Sequence, residues 1–265
     1  MARLHLLRII VLSVLVGASA LSGAGPAAAH GAGGTGTVGG WASCKDLHTL
    51  VPFAPDGDYV LVAGHTLLTV YCHDMAGTPR EYLSLPSAGP GRNFSQYTAG
   101  LASRGTDVRT TYTKVRIDPQ RLLVDIGDTT FATSTGSLTH SNSGTTVTSM
   151  PYGEAMSCTY RPDGIGNIDL QGTALMVVDP FIVRGFPGPV GSATFSAGNQ
   201  VVDLKAGAYC GWISAAPEGP PYNTTPGDFR LDLACAPTTA DGILTGLLRG
   251  ILALPPLCVD LTKPV

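Results

Sequence analysis

A chain of 265 residues, 44% apolar and only 13% charged, is long enough to bury its own core and too apolar to remain disordered. Its 34 Gly and 20 Pro interrupt helices too often for a bundle, so a turn-rich β protein is expected. The formal net charge of −3 argues against a phosphate-binding basic face, and 7% aromatics with only three Glu (Glu81, Glu154 and Glu218) leave little for a carboxylate-lined, sugar-stacking groove.

In chain order, residues 1–29 read as a secretory signal peptide. Arg3 and Arg8 precede an apolar run from Ile9 to Val16, and small residues lead to Ala27-Ala28-Ala29. The run is short for a membrane span of about 20 residues, and no later segment reaches that length, so no transmembrane segment is expected once the signal is removed. Cleavage before His30 would leave about 236 residues, with 14 basic against 19 acidic side chains and a net charge of −5; a site after Ala20 is the other option. Nucleic acid is not an expected partner of so acidic a chain.

Residues 30–43 form a flexible, Gly-rich lead. It contains G-x-G-x-x-G at Gly31, Gly33 and Gly36, but no strand precedes it and no helix follows, so a dinucleotide site is not expected. Pro55-Asp56-Gly57-Asp58 is a tight turn into a strand from Tyr59 to Val62, and a second strand runs from Thr66 to Cys72. Leu68, Val70 and Cys72 share one face of that strand, Leu67, Thr69 and Tyr71 the other. Arg80–Leu85 is a short strand. Val108–Asp118 alternates throughout, with Thr111, Thr113, Val115 and Ile117 on one side and Tyr112, Lys114, Arg116 and Asp118 on the other, the pattern of an antiparallel sheet with one wet face. Further β-rich stretches are Leu122–Ile126, Thr145–Met150, Asn167–Val178, Thr194–Phe195 and Gln200–Lys205. The fold class is mainly β, an antiparallel sandwich or irregular barrel.

Residues 213–265 form a C-terminal extension. Pro217–Pro226 is an extended Pro-rich loop, Asp228–Leu233 is compatible with a strand, and Thr239–Leu254 shows the spacing of an amphipathic helix with Thr239 as its cap. That helix either covers an open sheet end or meets a lipid surface or partner.

The six cysteines, Cys44, Cys72, Cys158, Cys210, Cys235 and Cys258, read as a disulfide framework in an exported chain. The tightest spacing is the 23 positions from Cys235 to Cys258 and C-x-x-C is absent, which disfavours zinc. Six cysteines allow fifteen pairings. Pairing in chain order is the expectation.

Short blocks occur in a fixed order: Cys44-Lys45-Asp46-Leu47, Asp56-Gly57-Asp58-Tyr59, Val70-Tyr71-Cys72-His73-Asp74-Met75 and Pro79-Arg80-Glu81-Tyr82-Leu83-Ser84-Leu85. They continue with Asn93-Phe94-Ser95-x-Tyr97, Lys114-Val115-Arg116-Ile117-Asp118, Asp169-Leu170-x-Gly172-Thr173 and Ala208-Tyr209-Cys210-Gly211. Together they resemble the GON domain, a module at the carboxyl end of some ADAMTS-type secreted metalloproteases and of other exported proteins. The resemblance spans residues 44–212, about 170 of the mature residues. It departs from the animal pattern in lacking a cysteine-rich insert after Tyr97 and extra cysteines near Cys158 and Cys210. The opening also resembles fibrinogen-type recognition domains, where two analogous cysteines pair, and this supports Cys44 with Cys72.

The resemblance implies an extracellular module associated with metalloendopeptidases and zinc. The zinc of those proteases needs H-E-x-x-H on a separate catalytic domain, and this chain has none: His30, His48, His65, His73 and His140 stand singly. Cys72-His73-Asp74 alternate in direction along a strand end, which disfavours a metal cluster. Asp125 and Asp128, with Asp56 and Asp58, lack the spacing of a calcium loop, and G-x-S-x-G is absent. Asn93-Phe94-Ser95 and Asn223-Thr224-Thr225 fit the glycan acceptor pattern. No catalytic or metal residue and no cofactor is therefore expected. The expected function is a secreted, non-catalytic GON-type module that binds an extracellular or cell-envelope protein or glycan. An exported hydrolase with a dispersed site is the alternative, and a purely structural role is a third.

Overall fold

β-Branched and aromatic runs of three to eight residues, separated by Gly, Pro, Asn and Asp, set short strands joined by tight turns. The computed structural model describes residues 40–64, 66–87, 89–101, 103–178, 180–215, 222–223, 226–236 and 258–260. In chain order the elements are α1 (Cys44–Leu50), β1 (Gly57–Ala63), β2 (Thr66–His73), β3 (Arg80–Ser84), β4 (Phe94–Thr98), β5 (Ser103–Gly105), β6 (Val108–Tyr112), β7 (Lys114–Asp118) and β8 (Leu123–Asp125). There follow β9 (Ala132–Thr135), β10 (Leu138–His140), β11 (Thr145–Val147), β12 (Ala155–Ser157), β13 (Gly164–Asp169), β14 (Leu175–Val177), β15 (Ile182–Ser196), β16 (Val201–Ser214), β17 (Phe229–Cys235) and β18 (Cys258–Asp260).

Three sheets result. The first runs β1-β2-β3-β7-β8-β17-β14, with β18 also on β2; the second runs β12-β16-β13-β4-β6-β9, with β15 on β16; the third is β11-β10-β5. All pairings are antiparallel except β12 with β4. The main core joins the first sheet, through Leu61, Val70, Val115, Ile117 and Val124, to the second, through Ala155, Ile168, Val202, Leu204 and Ile213. A smaller core of Tyr97, Val108, Leu138, Val147, Met150, Met156, Cys158 and Cys210 lies between the second sheet and the third. The middle sheet is thus covered on both faces, which is why β4 and β12 read as buried at nearly every position.

The mainly β, disulfide-stabilised architecture agrees with the sequence reading. Three disulfides join Cys44 to Cys72, Cys158 to Cys210 and Cys235 to Cys258, the chain-order pairing. In β2, Leu68, Val70 and Cys72 are buried and their neighbours half-buried, the alternation expected there. The stretch from Val108 to Asp118, however, is two strands in two sheets. In β6 the buried residues are Val108, Thr110 and Tyr112; in β7 they are Val115 and Ile117, so the buried parity switches at Thr113 as the chain crosses from one sheet to the other. Asn167–Val178 is likewise split, between β13 in the second sheet and β14 in the first. The short stretches around Thr194 and Gln200 belong to one long hairpin, β15–β16.

Sequence reading omitted α1. Ser43 caps it by accepting the Asp46 N–H at 3.1 Å, and its hydroxyl donates back to the Asp46 carboxylate at 2.8 Å. The strand near Asp228 is β17, inserted between β8 and β14, so the chain after Trp212 supplies a central strand of the first sheet. Most of the Pro-rich loop and the whole Thr239–Leu254 helix lie outside the described residues, as do the signal segment, His30 and His65. No described helix is long and apolar enough to cross a membrane.

Candidate functional site

Residues of the ordered blocks meet in three places. The first is the turn after β2. Asp56 accepts the backbone N–H groups of Met75 at 2.7 Å and Asp74 at 3.0 Å, and sits 2.9 Å from His73 Nδ1. The Met75 bond, with the Asp74 bond and His73, holds the Asp56 carboxyl below its usual range. Asp74 has a left-handed backbone (φ 56°) and accepts the Thr78 N–H at 2.9 Å, while Met75 is buried. Gly57 pairs with Cys72 across β1 and β2, and Tyr59 donates its hydroxyl to the Pro55 carbonyl at 2.8 Å. The block at Asp56 and the block at Asp74 are two halves of one tie. Cys72 faces the core in its disulfide while His73 lies on the opposite face against Tyr71, Tyr82 and Phe131, so these neighbours form no ligand set. Lys114 Nζ stands 4.4 Å over the Tyr71 ring, an aromatic contact satisfied within the chain.

The second place is Asn93, fully buried with φ 49°. Its Oδ1 accepts the Tyr152 hydroxyl at 2.7 Å and the Asp169 N–H at 2.8 Å, and its Nδ2 donates to the Asp169 carbonyl at 2.8 Å. Its own N–H donates to Asn167 Oδ1 at 3.1 Å, and its carbonyl accepts the Tyr112 N–H at 2.8 Å. Phe94 is buried beneath the Arg109 guanidinium, 3.4 Å from the ring centroid. Nearby, Gly172 (φ 84°) and Thr173 shape the turn from β13 to β14; the Thr173 hydroxyl donates to the Leu170 carbonyl at 2.7 Å. A glycan at Asn93 would have to replace this buried network, so the side chain is no acceptor in the folded chain.

The third place is a cleft of about 270 Å³ lined by Ser43, Glu81, Arg116, Asp118, Gln120 and Phe229. Glu81 Oε1 accepts the Cys44 N–H at 2.7 Å, and burial raises its pKa against the pull of that bond. Arg116 reaches the fully buried Asp125 at 3.2 Å and lies 5.2 Å over the Phe229 ring. Asp118 Oδ1 accepts the N–H groups of Gln120 and Arg121 at 2.9 and 3.1 Å. Glu81, Arg116, Ile117 and Asp118 are therefore block residues that line an open concavity, three of them charged. Two carboxylates, a guanidinium and an aromatic wall suit recognition of a polar group.

Asp125 and Asp128 serve the chain itself. Asp125 accepts the N–H groups of Gly127, Gly227 and Asp228, and Asp128 accepts the Tyr82 hydroxyl and the Thr130 N–H. Among the described residues, one group gathers three ligand-type side chains, His140, Cys158 and Cys210, and two of these are bonded to each other. The described histidines thus offer nothing like the two-His-plus-acid zinc set of a protease. Sequence reading missed Phe229 in the cleft, the Tyr97–His140 contact, and Glu154. Glu154 is fully buried with Oε1 2.5 Å from the Ser214 hydroxyl and Oε2 unpartnered. Tyr97 lies in the Asn93-Phe94-Ser95-x-Tyr97 block, while His140, Phe229 and Glu154 lie in no local motif.

Residues 41–106 match the family model of the GON domain. The blocks at Lys114–Asp118, Asp169–Thr173 and Ala208–Gly211 lie beyond the matched stretch. No curated protein and no solved structure matches the chain. The matched stretch holds the Asp56 tie, Glu81 and Asn93.

Proposed function

We propose that the chain is a secreted, non-catalytic GON module that binds an extracellular or cell-envelope protein or glycan through the cleft of Glu81, Arg116 and Asp118. One observation carries this reading. Asp56 uses both carboxylate oxygens and Asn93 its whole side-chain amide on ties within the chain, whereas Glu81 and Asp118 tie backbone N–H groups through one oxygen each, Oε1 and Oδ1, and line an open concavity. The leader in the sequence and three oxidised cysteine pairs support export to an oxidising compartment.

The test captures partners from the native culture with the full chain and with the double variant Glu81→Gln, Asp118→Asn. The expected result is a partner retained by the native chain and lost by the variant, with thermal midpoints alike. Sequencing the secreted form should find His30 at its amino terminus. Capture unaffected by the double substitution removes the cleft from the proposal. Turnover of a peptide, ester or glycan that depends on His73 or His140 replaces the binding reading with a hydrolase.

A further inference from the structure

The smaller core contains a polar cluster that the cleft does not involve. Tyr97 Oη lies 2.6 Å from Ser103 Oγ, 2.6 Å from His140 Nδ1 and 2.9 Å from Cys158 Sγ. His140 Nδ1 stands 3.8 Å from Cys158 Sγ, and the ligand atoms of His140, Cys158 and Cys210 all lie within 4.8 Å of one another. The three residues are buried, with exposures of 6%, 0% and 6%. They come from β10, the turn after β12, and β16, so the fold has brought three separate segments together at this point.

We propose that this cluster becomes a zinc site when the Cys158–Cys210 bond is reduced. A dithiol reductant supplies two electrons and two protons to the bond and leaves as its own disulfide; Cys158 and Cys210 become thiols. Zinc then displaces both thiol protons to solvent and takes the two thiolates and one imidazole nitrogen.

Three physical points support the assignment. Zinc bonds of about 2.3 Å to sulfur and about 2.0 Å to nitrogen place tetrahedral ligand atoms roughly 3.5–3.8 Å apart. The His140–Cys158 separation of 3.8 Å has that spacing already, and releasing the disulfide frees Cys210 Sγ to move to it. Two thiolates and a neutral imidazole also cancel the divalent charge, so the loaded cluster is neutral in a dry environment, where a net charge is costly. Tyr97 Oη, 2.6 Å from His140 Nδ1 and 2.9 Å from Cys158 Sγ, also places an oxygen donor beside the three ligand atoms.

The test uses the full chain, reduced with a phosphine and titrated with Co²⁺ and then Zn²⁺. One Co²⁺ should bind with a thiolate-to-metal charge-transfer band, which the unreduced chain does not show. Zn²⁺ should then shield Cys158 and Cys210, and not the other four cysteines, from alkylation read by peptide mass spectrometry. His140→Gln, which leaves every cysteine in place, should weaken Co²⁺ binding at least about tenfold. The proposal falls if all six thiols alkylate alike in the presence of zinc, if His140→Gln changes nothing, or if the band survives Cys158→Ser, Cys210→Ser.

Discussion

Glu154 shows how far a single buried side chain departs from its behaviour in water. Burial raises its pKa to about 8, against the pull of the Ser214 hydroxyl, so it is protonated at neutral pH. The folded chain then holds a proton that the unfolded chain has released above its ordinary value of 4.5. Stability from this group is complete below pH 4.5 and declines until about pH 8, by roughly 5 kcal/mol at 1.36 kcal/mol per unit. His140 works in the opposite sense, because a lowered imidazole pKa costs stability as pH falls through the ordinary value of 6.5. The variant Glu154→Gln should therefore remove most of the decline between pH 5 and 8 while leaving the acid-side loss; urea midpoints at pH 5 and 8 measure both. Asn93 is the other residue on which much depends. Asn93→Gly keeps the left-handed backbone but strands the Tyr152 hydroxyl, the Asp169 N–H and the Asp169 carbonyl. Leaving buried groups unpaired costs about 1–3 kcal/mol each, so a loss of at least about 3 kcal/mol in urea unfolding is expected.

At the scale of elements, legibility follows from where a strand's information lies. The alternation of Leu68, Val70 and Cys72 is local and was readable, whereas the crossing at Thr113 was not, because alternation is preserved while the buried parity switches. β15 was hidden because Pro187, Pro189 and its glycines interrupt a strand pattern; among the described residues it pairs only with β16, and a strand paired along one edge tolerates missing N–H donors on the other. For α1 the signal was present, since Ser43-x-x-Asp46 is a capping pattern, but seven residues give little helical periodicity. The ordered blocks marked residues without their roles: Asp56 and Asn93 are used up on ties within the chain, whereas Glu81 and Asp118 tie backbone through one oxygen each and line the cleft, a difference set by contacts between segments that the sequence does not show. The Cys44–Cys72 bridge links α1 to β2 across 28 positions. Cys44→Ser with Cys72→Ser should cost about 3–4 kcal/mol in the chain-entropy model. Thermal unfolding checks this, and a change under about 1 kcal/mol would mean that the Glu81–Cys44 bond and the core contacts of Leu47 hold α1 without it.

Across the whole molecule, the two ends of the described chain converge on the first sheet. β2 carries β3 along Tyr71–His73 and β18 along Thr66–Leu68, so the edge of an early strand is completed by residues near the end of the sequence. A three-residue strand has too few hydrogen bonds to overcome the entropy of bringing its segment back to β2. The Cys235–Cys258 bridge, spanning 23 positions, supplies that closure by fastening β18 to β17, already fixed between β8 and β14. Breaking it with Cys235→Ser and Cys258→Ser should therefore act locally. Amide exchange at Thr66–Leu68 and at Cys258–Asp260 should accelerate, while Asn167–Asp169 and Val201–Leu204, paired in the middle sheet, keep their protection. The exposed backbone of β2 would then offer an edge for self-association, visible as a concentration-dependent sedimentation shift. If protection at Thr66–Leu68 is unchanged in the variant, the pairing of β18 with β2 stands without the bridge, and closure of the sheet comes from the strand itself.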